Sequence, residues 1–193
     1  MNVITKDVSN YFISGNIKDD IAAFDTYAKA HVLNYTGSAY SSTAPGIVNF
    51  SFAGAPLDQN VTALAAALSA HLTVSLELLR KNRIKAVDAN TARLIYLPAS
   101  FDGHTFSMSD VAQRNWIAIK ASLDIYEELG AWPVPVTCEP DEEYLLTSQV
   151  HAKQFATAML MSVAIKYNSG RALKLLLKAA TTKAEIDAIV DNR

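Results

Sequence analysis

Near the N-terminus, two stretches carry apolar residues at the three- and four-residue spacing of one face of an amphipathic helix. The first set is Ile17, Ile21, Phe24, Ala28 and His31. The second set is Leu57, Val61, Leu64, Leu68 and His71. Each stretch therefore predicts a helix, and each of these periodic runs closes on an Ala-His pair.

A short run rich in Val, Phe and Tyr precedes each predicted helix, and this composition favours a strand. The runs begin at Val8 and Val48, and Gly15 ends the first while Gly54 and Pro56 end the second. The two segments align without a gap, so they predict a duplicated strand–helix unit around a pseudo-symmetric core. Chance similarity between Ala-rich helices is the alternative explanation.

The repeat places His31 and His71 at equivalent positions, which leaves two interpretations open. Each histidine can end a helix, where the helix dipole favours a cation. The two can instead meet and bind a metal ion, but no cysteine or carboxylate lies at ligand spacing beside them. The first interpretation is therefore preferred.

The rest of the chain predicts mainly helices. A long helix is expected from about Leu57 to about Ile95, and another from about Ser148 to about Ala179, with Thr147 as its cap. The Asp102-Gly103 pair predicts a turn in a small hairpin. Further predictions are a helix after Ser107 that ends at Gly130, an extended segment at Pro133 and Pro135, and a final helix with a Thr182–Glu185 capping box.

These patterns predict a predominantly α-helical α+β fold, with duplicated strand–helix units, then long helices and a short β-hairpin. Two domains are expected. Residues 1–95 would hold the duplicated module and the long helix, and residues 96–193 a helical module with short strands.

Composition narrows the possible partners. Half of the 193 residues are hydrophobic, only 19% are charged, and the net charge is −2. This charge gives no electrostatic case for nucleic-acid binding. A single cysteine excludes an internal disulfide and fits a reducing compartment. No secretory signal is expected, because the first residues lack a basic region followed by an apolar run. No membrane span is expected either, because the most apolar run, Phe155 to Ile165, is too short to cross a bilayer.

No recognised catalytic or cofactor motif is present in the sequence. Cys138 is the only possible cysteine nucleophile, but acidic residues follow it and disfavour a thiolate. His104 has the chemistry of a general base, without a visible partner. We therefore expect no enzymatic activity, no cofactor and no metal site. A small enzyme that uses His104 or Cys138 remains the alternative.

Three other features have a structural and a functional interpretation. The "RKNRIK" segment is expected to be solvated, and binding of an anionic partner is the alternative. The acidic cluster after Cys138 is also expected to be solvated, and binding of a hard cation is the alternative. His151 is expected to be an ordinary helix residue. Trp132 is expected to anchor a contact, so the candidate interface is Trp132, Pro133, Val134, Pro135 and Val136.

Three segments of the C-terminal region share features with a known family. They are "DGHTFSMSDVAQRNWIAI", "YLLTSQVHAKQF" and "SGRALKLLLKAATTKAEIDAI", the last with a distinctive Ala-Thr-Thr helix end. The region from about Ile84 to Arg193 resembles a domain of unknown function found in tailed-bacteriophage proteins encoded near tail-fibre and baseplate genes. It departs from that family in the proline-rich "AWPVPVTCEPDEE" segment.

The resemblance implies a structural protein of the virion, in the tail, baseplate or fibre-attachment region. Such a protein is made in the host cytoplasm and acts by contact with other virion proteins, as a symmetric homo-oligomer or ring. A tail-fibre assembly chaperone and a head or connector accessory protein are the alternatives. Neither nucleic acid nor a membrane is expected as a partner.

Overall fold

The computed structural model describes residues 2–41, 44, 46–55 and 58–193. It confirms the predicted class, a predominantly helical α+β fold with several small antiparallel sheets. The chain forms two compact units. The first contains the residues up to Ala86 together with Leu175–Arg193, and the second is Val87–Lys174. The sequence predicts a different division, into residues 1–95 and 96–193.

The described elements follow one another along the chain in an irregular alternation of strands and helices. The helices are α1 (Ile17–His31), α2 (Asp58–Leu94), α3 (Asp110–Ala121), α4 (Leu123–Glu128), α5 (Gln149–Ala179) and α6 (Lys183–Ala188). The strands are β1 (Asn2–Asp7), β2 (Tyr35–Tyr40), β3 (Ile47–Phe52), β4 (Ala99–Phe101), β5 (His104–Phe106), β6 (Val134–Cys138) and β7 (Glu142–Leu146).

The first unit is built on a three-stranded antiparallel sheet of order β1-β3-β2. Along the central strand β3, Val48, Phe50 and Phe52 are buried and alternate with half-buried residues. This period of two places one face of the sheet in the core. Phe24 of α1 and Leu64 of α2 are also fully buried in this core.

The predicted strand at Val8 is wrong, and with it the predicted duplication. The amides of Tyr11 and Phe12 donate to the carbonyl of Val8, which makes a turn. The strand comes earlier, as β1, and the Asp7 carboxylate ends it by accepting from the amide and hydroxyl of Ser9. The two segments therefore share a helix but not a strand. Pro56 and Leu57 lie outside the described residues.

His31 and His71 also have different environments. His31 is exposed at the end of α1, where its ring stacks on Tyr27 with 4.0 Å between centroids. His71 is 2% exposed, and its Nε2 lies 3.0 Å from Oδ1 of Asp20. The bonding partner of His71 is thus a carboxylate from α1, and the similarity of the two Ala-His pairs is a coincidence of Ala-rich helices.

Asp20 is a fully buried carboxylate with several donors around it. Burial by itself raises the pKa of a carboxyl group, but hydrogen bonds from His71, Ser14 and Ser75 outweigh burial and hold the pKa of Asp20 below its ordinary value. The hydroxyl of Ser75 also accepts from the amide of Ile13, at 2.5 Å. This network joins α1, α2 and the turn that follows β1.

The second unit is built from two β-hairpins and the helices beside them. β4 pairs with β5, β6 pairs with β7, and a single bridge between Thr105 and Glu139 links the hairpins. Its core is aromatic: Phe106 and Phe155 are fully buried with 4.8 Å between ring centroids. The predicted turn at Asp102-Gly103 is confirmed, as is the extended segment through Pro135.

Most predicted helix ends are confirmed. Gly130 follows the end of α4 with φ of 59°, and the Thr182–Glu185 capping box starts α6. The cap of α5 differs, because the Ser148 hydroxyl, and not that of Thr147, accepts from the third helical amide. The single helix predicted from Ser107 to Gly130 is wrong, because the chain forms two helices, α3 and α4, that are separated at Ser122. α3 begins at Asp110, with Ser109 as its cap.

Removal of the buried charge should be costly at neutral pH. We expect Asp20→Asn to lower the free energy of unfolding by about 3–5 kcal/mol, since it breaks a buried pair. The folded-state pKa of Asp20 lies below the unfolded value of about 3.9, so its contribution is present above that pH and is lost as the pH falls through the folded-state value. The difference in the free energy of unfolding between wild type and Asp20→Asn should therefore become smaller below about pH 4.

Urea denaturation from pH 3 to pH 7 measures this difference. Asp19→Asn is the matched control, because Asp19 is exposed one residue away on the same helix turn. Its effect should stay below about 1 kcal/mol at every pH. Equal stability of Asp20→Asn and wild type at pH 7 would contradict the role of Asp20 as a buried, charged partner of His71.

Candidate functional site

The tips of the two hairpins in the second unit bring together the two residues that sequence analysis named for an alternative enzyme. His104 follows the β4–β5 turn, and Cys138 ends β6. The amide of Glu139 donates to the carbonyl of Thr105 at 2.8 Å, which fixes one tip against the other. Nδ1 of His104 lies 3.7 Å from Sγ of Cys138. The expectation that His104 has no partner is therefore wrong.

Strand alternation explains why a third polar residue joins this pair. Cys138 and Glu142 are cross-strand partners in the β6–β7 hairpin, so their side chains lie on the same face. Farther along this face, Val136 and Tyr144 are also partners, and both are buried. Glu142 thus lies on the side of the hairpin that faces the core, at the end of that side where residues become exposed. One ligand atom each of His104, Cys138 and Glu142 lies within 4.8 Å of the other two.

Cys138 has little access to bulk solvent, at 2% exposure. It nevertheless lines a cavity of about 530 Å³ between β6 and α3, together with Trp116, Ile119 and Val136. The cavity is mostly apolar on the α3 side, where Trp116 and Ile119 belong to the core.

A second polar network supports the ring of His104 from behind. The Tyr144 hydroxyl donates to Oδ2 of Asp102 at 2.9 Å and lies 2.9 Å from Nε2 of His151. Burial and the hydrogen bond to Asp102 raise the pKa of Tyr144 to about 12. The Tyr144 ring lies 4.9 Å from that of His104. Tyr144 is thus uncharged and its hydroxyl is fixed by hydrogen bonds, and the His104 ring packs against it.

The same network identifies the tautomer of His151. The single proton of the Tyr144 hydroxyl goes to Asp102, so Nε2 of His151 donates to the Tyr144 oxygen. Nδ1 accepts from the amide of Thr147 at 3.3 Å. His151 is therefore an Nε2–H histidine that links α5 to the hairpins, a role that its position near a helix start did not reveal.

The candidate interface residues fall into three groups by exposure. Val136 is buried in the core of the second unit, while Pro133 and Pro135 are exposed. Trp132 and Val134 are half-buried against that core. The indole Nε1 of Trp132 donates to Oε2 of Glu127 at 2.8 Å. The indole is thus held in place at the surface, and its role in an interface stays a prediction.

The "RKNRIK" segment has a structural function that the sequence did not reveal. Arg80 donates through Nε to the carbonyl of Leu177 and through Nη2 to that of Ala180, at 3.1 and 2.7 Å. These carbonyls lie at the C-terminal end of α5, where helices leave acceptors unpaired. Arg83 pairs with Asp187 at 3.3 Å. Lys81 and Lys85 are exposed, as a solvated face predicts.

Among the described helices, the longest run without a charged residue belongs to α2. Between Asp58 and Glu77 the sequence has no Asp, Glu, Lys or Arg. From Val61 to Val74, the nine exposed residues form what we call the α2 outer face: Val61, Thr62, Ala65, Ala66, Ser69, Ala70, Leu72, Thr73 and Val74. Its largest side chains, Val61, Leu72 and Val74, are 40%, 39% and 45% exposed.

Among the described residues, α2 is also the one helix that is long and apolar enough to cross a bilayer. Length and composition alone support this, and the core helices of soluble proteins meet the same criteria. The inner side of α2 carries polar groups that bind the first unit. Asn60 donates to the carbonyl of Leu33, and His71 pairs with Asp20.

Comparisons with protein-family models, curated proteins and solved structures found no match for this chain. The resemblance to the phage domain is therefore neither supported nor contradicted by them.

The hydroxyl of Tyr144 should stabilise the second unit. We expect Tyr144→Phe to lower the free energy of unfolding by about 1–3 kcal/mol, because Asp102 and His151 each lose a partner. Urea denaturation at pH 7 measures the change. Tyr40→Phe, at a tyrosine that is 39% exposed, is the control and should change stability by no more than about 0.5 kcal/mol. Equal effects of the two substitutions would contradict the network.

Proposed function

We propose that this protein is a structural component of a tailed-bacteriophage particle, in the tail, baseplate or fibre-attachment region. It acts by contact with other virion proteins and with copies of itself, as a symmetric homo-oligomer or ring. The α2 outer face is the observation that supports a contact function. The phage setting rests on the resemblance of the region from Ile84 to Arg193.

The chemistry of the α2 outer face fits a surface that another protein covers. A helix on the outside of a soluble protein normally carries charged residues on its solvent side. Here the solvent side of about four helical turns offers only Ala, Val, Leu, Ser and Thr. Depletion of charge is what distinguishes the centre of protein interfaces from other surface. Small side chains such as Ala65 and Ser69 also permit close approach of a second helix.

A protein partner fits this face better than a bilayer does. The inner side of α2 is hydrogen-bonded through Asn60, His71 and Ser75 to other parts of the first unit. A helix that crossed a membrane would have to leave these partners or bring them into the lipid. Each unpaired polar group would cost several kcal/mol there. The outer face can thus be covered by a partner while the hydrogen bonds of the inner side stay intact.

The Trp132–Val136 segment supplies a second predicted contact, on the other unit. Pro133 and Pro135 are exposed beside Trp132, whose indole is already held by Glu127. A side chain fixed before binding loses less conformational entropy when it is covered. The same two surfaces would serve an assembly chaperone or a head accessory protein. A chaperone differs in one respect, since it is absent from mature particles.

A charge on the α2 outer face should prevent self-assembly. We expect Ala65→Glu with Ser69→Glu to weaken association at least tenfold, because the two carboxylates would have to be desolvated in the interface. Light scattering with size-exclusion chromatography of the full chain measures the mass over a range of concentrations. Circular dichroism checks that α2 stays helical.

Lys81→Glu is the matched control, on the exposed side of α2 beyond the outer face. It should leave association unchanged. A chain that is monomeric at every concentration, with or without the substitutions, would argue against the homo-oligomer. Association that survives the double substitution would exclude this face as the contact.

Trp132→Ala should weaken assembly by about 2 kcal/mol or more if the indole anchors an interface. Trp132→Phe is the matched variant, since it keeps an aromatic ring beside that of Tyr126 but removes the hydrogen bond to Glu127 and part of the indole. The association constant and the thermal melting of the monomer are measured together. A large loss of monomer stability without a change in association would place Trp132 in the fold alone.

A further inference from the structure

Three side chains of different chemistry converge at the hairpin tips of the second unit. They are an imidazole, a thiol and a carboxylate, from His104, Cys138 and Glu142. Two of them are cross-strand partners, and the bridge from Thr105 to Glu139 sets the third beside them. The backbone thus positions all three donor groups, which is the requirement for a preformed site.

We propose that His104, Cys138 and Glu142 bind one divalent transition-metal ion, and that Zn²⁺ fits the site best. In a tetrahedral zinc site with bonds of about 2.3 Å to sulfur and 2.0–2.1 Å to nitrogen, the nitrogen and sulfur atoms lie about 3.6 Å apart. The distance from Nδ1 of His104 to Sγ of Cys138 is 3.7 Å. This pair is at ligand distance without movement of the backbone.

The donor set selects the metal. Thiolate with imidazole and carboxylate suits Zn²⁺, whereas Ca²⁺ and Mg²⁺ take oxygen ligands. Three protein ligands leave a fourth position for water or another ligand. The site goes beyond the proposed contact function and does not depend on it.

The charges around the site favour a cation. Glu139 and Asp141 lie between Cys138 and Glu142 in the sequence, and no Lys or Arg lies between Lys120 and Lys153. Negative charge near a site attracts a dication. The charge of this region thus supports metal binding at the three donor groups.

Tyr144 positions the imidazole for this role. Its ring packs on His104, and its hydroxyl is held by Asp102 and His151. Supporting groups of this kind orient metal ligands, and their loss commonly weakens metal binding 10–100-fold. An ion at the tips would also join the β4–β5 hairpin to the β6–β7 hairpin and stabilise the second unit.

The test uses the reduced, tag-free full chain after removal of metal. Titration with Zn²⁺, in competition with a chromophoric chelator, gives stoichiometry and affinity. Replacement with Co²⁺ reports the donor atoms, because a thiolate ligand adds a near-ultraviolet charge-transfer band. We expect one ion per chain, a thiolate band with Co²⁺, a raised Tm with Zn²⁺ and slower alkylation of Cys138 by iodoacetamide.

The variants separate this site from binding elsewhere. Cys138→Ser should abolish the thiolate band. His104→Gln and Glu142→Gln should weaken binding about 100-fold, and they replace side chains nearer the surface if the cysteine variant fails to fold. Glu143→Gln, on the opposite face of the same strand, is the matched control and should bind like wild type.

Four results would overturn the proposal. They are no binding tighter than micromolar, a Co²⁺ complex without a thiolate band, equal binding by Glu142→Gln and wild type, and alkylation of Cys138 at the same rate with and without Zn²⁺. None of them bears on the α2 outer face, so this proposal and the contact function can fail separately.

Discussion

The buried pair between Asp20 and His71 is the interaction on which the first unit depends. It connects α1 to α2 in a core that is otherwise aromatic and aliphatic, and Ser14 and Ser75 complete its hydrogen bonds. A carboxylate buried in this way favours one rotation of α2 about its axis, because other rotations would take His71 and Ser75 away from it. The same rotation turns the uncharged side of α2 outward, where it forms the outer face.

Local patterns predicted what local interactions determine. The helix from Ile17 to His31, the Thr182–Glu185 capping box and the Asp102-Gly103 turn each depend on residues a few positions apart. β1 and β2 were not predicted, because pairing with β3, over forty residues from β1, makes them strands. β1 is exposed along almost its whole length, so it has no apolar alternation to detect.

The group formed by His104, Cys138 and Glu142 also depends on contacts that local sequence patterns do not predict. A hairpin through Glu139, Pro140 and Asp141 makes Cys138 and Glu142 cross-strand partners, whereas the sequence predicted only an extended segment and a solvated acidic cluster in this region. His104 is 34 positions from Cys138, and only the bridge between two hairpins brings it within 3.7 Å. Both residues were identified as reactive types, but their pairing is a property of the tertiary structure. The roles of Arg80 and His151 were hidden for the same reason.

The central claim is that the chain works by contact within a phage particle. Quantitative mass spectrometry of phage particles purified from cells that produce this chain tests it directly, by counting the chain against the major capsid protein. The account predicts a fixed ratio that matches a threefold, fivefold, sixfold or twelvefold ring. Absence from mature particles, with abundance in the infected cell, would contradict a structural role and favour a chaperone or an enzyme.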